Sequence, residues 1–369
     1  MKATTMQAQP NAAFRFHPEL FWVGLILIAG IPRILGAFWL PNAFGDAYAY
    51  LQLIEVMRDQ IVAGTFSTND LYGFWFPLYQ LTCAAIGAIF GHSFYVAKLV
   101  SALCGTGICL FVFQITQRLT ANRLFSLIAF ALVALSPLHI LNSVSALTDI
   151  PHAFLVIASL YFVLEKRWEV AALFAAAAGF VRIESWMLIA LLPILQFIAE
   201  RRVSLLACGI LMISPLLWFY ISWKATGNPL AYFEARNRYV VESVAADPAI
   251  AVFTVKRLLL DAQRLLVSTN VAVLAACLAV GWRIVVRAVR QGLPEVLRSL
   301  YSVLVVQIFF FANLGFLLLA YFMKTQPSIW TRYGLLFFAF HEAVGQITGI
   351  KQGNNNDDHP SGGQVPFPV

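Results

Sequence analysis

The chain has 369 residues, of which 60% are hydrophobic, 14% aromatic and 12% charged, where soluble domains carry roughly a quarter charged residues. That balance, with a mean hydropathy of +0.77, excludes a water-soluble globule. The net charge of +7 belongs to topology, because Lys and Arg collect in the cytoplasmic loops of membrane chains, and it gives no reason to expect a nucleic-acid partner.

Apolar stretches of about 17 to 23 residues recur, each long enough to cross roughly 30 Å of hydrocarbon. Dyad alternation with aromatic girdles is absent, so the spans are helices and an outer-membrane barrel is excluded. The expected fold class is an all-α, polytopic integral membrane protein. Residues 1–19 carry Lys2 and Arg15 ahead of a long apolar run with no small-residue cleavage site, which reads as a cytoplasmic segment followed by an uncleaved signal-anchor. Windows at 20–40, 95–116, 124–140, 151–165, 169–181, 184–199, 203–223, 266–286, 303–323 and 333–349 give ten expected spans within a domain over 20–350. The tail 351–369, rich in Asn, Asp, Gly and Pro, cannot bury a core and is expected to be disordered and cytoplasmic.

An eleventh apolar piece, 76–90, decides the topology. If it does not cross, Arg118 and Arg123, then Lys166 and Arg167, then Arg201 and Arg202, then Arg283, Arg287, Arg290 and Arg298 all fall in short cytoplasmic loops, where the positive-inside rule is reliable. Counted as a span, it would put every one of these clusters outside. The piece is only about 15 residues long and opens with Pro77, so it is read as a re-entrant or interfacial helix. Both termini are then cytoplasmic, and the polar segments 41–74, 142–149, 224–264 and 324–332 face outward. The five cysteines, Cys83, Cys104, Cys109, Cys208 and Cys277, lie in apolar stretches without metal-ligand spacing and read as small core residues.

In so apolar a chain the ionisable residues of the outward segments are the informative ones. Asp46 follows Asn42-Ala43-Phe44-Gly45 and opens an amphipathic helix over 48–62, either as an N-cap or as a catalytic carboxylate. Thr148 or Asp149, followed by Pro151, is a helix start. His152 lies three residues beyond Asp149 on the same helical face, and with His139 it admits a metal reading, although a hydrogen-bonded interface histidine is the commoner role. Arg182 and Glu184, two apart, cannot share a helical face, so the chain must break there. Arg33 in the outer half of the first span is expected to snorkel. Arg332 and Tyr333 open the last span, and Arg236 and Arg238 sit in the long third outward segment.

Carboxylates accept a proton from an attacking hydroxyl or hold a metal, and guanidinia bind phosphate through paired N–H groups. An outward site has no access to nucleotides, so a group-transfer enzyme there needs an activated donor that is itself a lipid. The order Arg33, Gly45-Asp46, Trp75-Phe76-Pro77-Leu78-Tyr79, Leu147-Thr148-Asp149-Ile150-Pro151, Arg182-Ile183-Glu184, Arg332-Tyr333 resembles the GT-C glycosyltransferases. It looks most like the family 39-like branch of protein O-mannosyltransferases and lipid A aminoarabinose transferases. The resemblance implies about ten spans with a juxtamembrane helical first loop, a polyprenyl-phosphate sugar as donor and an acceptor of unspecified kind. It also implies catalytic roles for Asp46 and Asp149, and substrate-binding roles for Arg182 and Glu184. Arg236, Arg238, Arg332, Tyr333 and His152 complete the candidate binding set. No cofactor is implied with certainty; a divalent ion, if used, would fall to Asp46 and Asp149. Relatives commonly have Asp-Glu in the first loop, whereas Ala47 follows Asp46 here. Two other classes stay open, a transporter or flippase of lipid-linked sugars and a catalytically degenerate scaffold.

Overall fold

A computed structural model describes residues 18–246 and 301–322, with a few isolated positions between them. The described chain is helical, without a strand. Its elements are α1 (Pro18–Trp39), α2 (Asp46–Ala63), a 3₁₀ turn (Thr68–Leu71), α3 (Leu78–Phe90), α4 (Ser93–Thr120), α5 (Arg123–Ala134), α6 (Pro137–Ser143), α7 (Asp149–Leu164), α8 (Trp168–Gly179), a second 3₁₀ turn (Ile183–Met187), α9 (Leu188–Glu200), α10 (Leu205–Thr226), α11 (Ala231–Ala246) and α12 (Tyr301–Phe322). The polytopic, all-α expectation holds.

Within the described part of the chain, full-length spans are fewer than the hydropathy windows give. Among the described residues four helical stretches are long and apolar enough to cross: Glu19–Trp39, Ser93–Thr120, Ile183–Glu200 and Leu205–Thr226. A fifth crossing is obtained if α5 and α6, bent by 60° at their junction, count as one. α7 and α8, which the hydropathy windows count as spans, have 16 and 12 residues, and 12 residues of helix reach only about 18 Å. They nonetheless run between the two ends of the bundle, α7 from Asp149 to Leu164, next to the Glu165 that pairs with Arg118, and α8 back from Trp168 to Gly179. Val156, Ala158 and Val163 of α7 and Ala171, Ala172 and Ala178 of α8 are fully enclosed, so these helices are hydrophobic because protein surrounds them, and a window average cannot distinguish that from lipid contact. The expected spans at 266–286 and 333–349, Cys277 and the tail 351–369 lie outside the described residues.

The bundle has two chemically distinct ends. At one, Arg118 of α4 pairs with Glu165 after α7, Arg123 lies 3.9 Å over the Phe21 ring of α1, Trp168 donates to Glu200 at 2.7 Å, and Ser204 donates to Glu169 at 2.7 Å. The short connections here close through left-handed residues, Ala121, Lys166 and Arg201, which end a helix within one residue. These are three of the four basic clusters that the charge pattern groups together, and the fold gathers them; Arg283, Arg287 and Arg298 of the fourth lie outside the described residues.

At the opposite end Lys98 near the start of α4 donates to the Leu40 carbonyl at the end of α1, at 2.5 Å. The Leu78 amide at the start of α3 donates to the Phe180 carbonyl just beyond α8, at 3.1 Å. α3 thus begins at this end, and it also finishes there, because Ser93 of α4 follows three residues after Phe90. The 76–90 piece therefore returns to its own side without crossing. α2 and α3 lie together over this end, burying Ala47, Tyr50, Ile54, Tyr79 and Cys83 against Ala146, Leu147 and Val181.

Candidate functional site

Three loops meet where α2 and α3 cover the bundle. The first runs from α1 into α2. Gly45 occupies the N-cap position without a side-chain cap, so Asp46 is the first residue of α2 and not its cap. It is exposed and lies in the positive end of the helix dipole. The second loop, 144–148, joins α6 to α7. Asn42 accepts from the Ala146 amide at 3.0 Å, and the Tyr50 hydroxyl lies 3.2 Å from Thr148 Oγ1. Thr148 holds the N-cap position of α7 without capping it; its hydroxyl is turned toward Tyr50 instead. Asp149 is the first residue of α7 and is almost fully buried. The two loops are bound together, so Asp46 and Asp149 open neighbouring helices at the same end of the molecule.

The third loop supplies the charge partner. α8 ends at Gly179, and Arg182 is extended at φ −151° and ψ 140° before the 3₁₀ turn begins. That break brings two side chains only two residues apart onto a common axis. Arg182 Nη2 donates to Glu184 Oε1 at 2.8 Å and its Nε to Oε2 at 3.3 Å. Its Nη1 donates to Asp149 Oδ1 at 3.1 Å. One guanidinium thus holds two carboxylates from separate elements, with all three side chains mostly withdrawn from solvent. His152, one turn along α7, is buried with Nε2 2.7 Å from Ser185 Oγ, so it ties α7 to the same 3₁₀ turn in the interface role expected of it. Among the described residues no three His, Cys, Asp or Glu side chains gather as a metal site, and Asp149, one of the two carboxylates to which a divalent ion would fall, faces a guanidinium.

An aromatic floor lies beside the cluster. Phe76 stacks on Trp218 at 4.4 Å between ring centres, with Tyr232 edge-on to both. Trp75 packs on Tyr50 at 4.7 Å. Tyr232 of α11 is buried, and burial raises its hydroxyl above the usual phenol range while Arg236 pulls the other way. Arg236 Nη1 donates to that hydroxyl at 3.2 Å, and Tyr232 lies within electrostatic reach of Arg182 and Glu184. Arg236 therefore joins the cluster through Tyr232, whereas Arg238 is exposed. Arg332 and Tyr333 lie outside the described residues. Asn42, Tyr50, Ser185 and Tyr232 join the candidate set through contacts that the structure shows; in sequence only their nearness to Asp46, Arg182 and Arg236 could have flagged them.

The expected snorkelling of Arg33 is overturned. It is fully buried, because its guanidinium finds acceptors inside the bundle at Ala29, Val133, Ala134, His139 and Ser143.

Comparison with known proteins meets this geometry at its centre. Residues 71–192 match the family model of dolichyl-phosphate-mannose-protein mannosyltransferases. The family 39-like resemblance is thereby shown over that segment, about a third of the chain. No curated protein and no solved structure matches the chain. The mannosyltransferase-type segment runs from the end of the first 3₁₀ turn through α3 to α8 into α9, and so includes Asp149, His152, Arg182 and Glu184. Asp46 and Arg236 lie on either side of it in sequence.

Proposed function

We propose that the chain is a membrane glycosyltransferase that moves a sugar from a polyprenyl-phosphate donor to an acceptor hydroxyl, at the end of the bundle opposite its basic loops. The basic loops face the cytoplasm by the positive-inside rule, which puts this end and its chemistry on the outer face and both termini inside. The observation that carries the reading is the Asp149–Arg182–Glu184 cluster lying within the mannosyltransferase-type segment. Mannose is the sugar the family description favours.

Asp46 serves as general base. It takes the proton of the acceptor hydroxyl while the acceptor oxygen bonds to the anomeric carbon, and the bond from that carbon to the phosphate oxygen breaks, leaving polyprenyl phosphate. Asp46 suits this role because it is exposed at a helix start, and Asp149, held by Arg182, orients the acceptor. Arg182 is already shared between two carboxylates, so stabilisation of the leaving phosphate falls first to Arg236, with Arg238 and Arg332 as further candidates. The departure at Ala47 has a local meaning. Ala47 is fully buried against the α2–α3 core, so this chain uses the position for packing and works with one carboxylate in the first loop.

The buried cations argue against a transporter. Lys98 and Arg33 both donate to backbone carbonyls at helix ends, which fixes them in structural roles and not along a transport path. In a purified, folded Asp46→Asn variant given polyprenyl-phosphate mannose and a hydroxyl acceptor, transfer is expected to fall by about 10²–10⁴, the range for loss of a general base. Full retained activity would sink the assignment.

A further inference from the structure

The bend between α5 and α6 has a covalent cause and a non-covalent consequence. Pro137 opens α6 behind the Ser136 cap, and a proline has no N–H with which to continue the ladder of α5. The carbonyls of Val133 and Ala134 are thus left at the end of α5. Beyond α5 the Val133 carbonyl meets the Leu135 amide of the C-cap and, at 3.4 Å, the Ser136 amide, and among the described residues the Ala134 carbonyl meets no backbone donor there. In a bilayer such groups must be satisfied from within the protein. Arg33 of α1 supplies the missing donors, Nη2 to Val133 at 3.3 Å and Nη1 to Ala134 at 3.1 Å.

The same guanidinium also grips the far side of the bend. Nη2 lies 2.7 Å from His139 Nδ1, and Nε donates to Ser143 Oγ at 3.3 Å. An arginine is needed for this, because only a planar fork presents donors to both arms at once. Gly105 of α4 leaves the room: a Cβ there would stand 2.2 Å from Ser143 Oγ and 3.2 Å from Arg33 Nε. Ser143 ends α6, and the next residues are the loop that Asn42 and Tyr50 hold and that delivers Asp149.

We propose that Arg33 is a positioning residue for the active-site loop: by joining the carbonyls of α5 to the side chains of α6 it fixes the direction of α6, and with it the placement of 144–148 and Asp149. Its effect on sugar transfer rests on the proposed function; its effect on the loop does not.

The test uses the full chain in lipid nanodiscs, with Arg33→Met, Arg33→Lys and the double variant Arg33→Met/Pro137→Ala, read by amide hydrogen exchange, thermal unfolding and transfer from polyprenyl-phosphate mannose. In Arg33→Met the amides of 144–148 are expected to exchange about tenfold faster or more, with those of α8 unchanged. Lysine, a point charge, is expected to rescue less than half of that change on a logarithmic scale. Pro137→Ala returns a donor to the Val133 carbonyl, so the double variant is expected to regain most of the melting temperature lost in Arg33→Met. It is also expected to keep the fast loop exchange and a kcat lowered about tenfold at unchanged donor KM, because loop placement, not donor affinity, has been lost. Wild-type exchange at 144–148 in folded Arg33→Met would overturn the proposal, as would a double variant that recovers no stability. If Arg33→Met alone does not fold, the double variant carries the same two criteria. Fast exchange with an undiminished kcat would leave the positioning role standing and refute the catalytic role of Asp149 instead.

Discussion

The two ends of the bundle use charge in opposite ways. At the basic end the ion pairs are open to solvent: the Arg202 side chain is 80% exposed in its pair with Glu200, and Arg118 is 41% exposed beside Glu165. At the other end Arg182 is 18% exposed and Asp149 9%, and their pair joins α7 to a turn 33 residues away in sequence. Exposed pairs contribute roughly 0–1 kcal/mol because water screens them. A buried pair is different, since removing one partner strands the other charge in a medium that cannot solvate it. The basic end thus carries loosely held surface charges, and the other end is a constructed site whose members depend on one another.

Four substitutions sharpen that contrast. Arg182→Met leaves Asp149 and Glu184 together without their cation and is expected to destabilise the protein by about 3–5 kcal/mol, seen as a large fall in melting temperature, with sugar transfer lost. A wild-type melting temperature would mean that the site end tolerates charge as loosely as the basic end. Next comes a pair of glycines. A Cβ at Gly179, beside the Arg182 break, would stand 2.6 Å from Ser214 Oγ and 3.1 Å from Trp186, whereas one at Gly209, near the basic end of α10, would meet nothing within 4 Å. Gly179→Ala is expected to cost about 1–3 kcal/mol by overpacking, and Gly209→Ala to be neutral or to stabilise by up to about 1 kcal/mol through helix propensity. Thermal unfolding of the two variants side by side checks the sign of each. The smallest effect is that of Arg202→Ala, expected within about 0.5 kcal/mol in stability and without change in transfer rate.

What the sequence made legible was chiefly what depends on nearby residues. The failure of 76–90 to cross follows from its length, its proline and the loop charges. The break at Arg182 follows from two ionisable groups that no helix could place on one face. The grouping of the basic loops follows from counting, and the fold brings the three described ones together. Other features required contacts between distant segments. Hydropathy finds α7 and α8, which do run between the two ends, but it records apolarity without saying what surrounds it or how short the helix is. Arg33 looked like a residue seeking the membrane surface, since its acceptors at Val133 and Ala134 lie a hundred residues away and are freed only by Pro137. Thr148 carried a capping signature, yet its hydroxyl meets Tyr50 of another helix. The link between Arg236 and the cluster runs through Tyr232, whose burial no local pattern announces.

The grip of α1 and α2 on their neighbours carries one more consequence. Leu40, Asn42 and Tyr50, within eleven residues, each make a separate contact beyond their own segment, to Lys98, Ala146 and Thr148. Contacts that hold one segment in parallel share its restraint, so loss of any one leaves the others to keep the register, and loss of two releases it. Point variants along this stretch will therefore look milder than their combinations, and the strongest evidence of its importance will be epistasis.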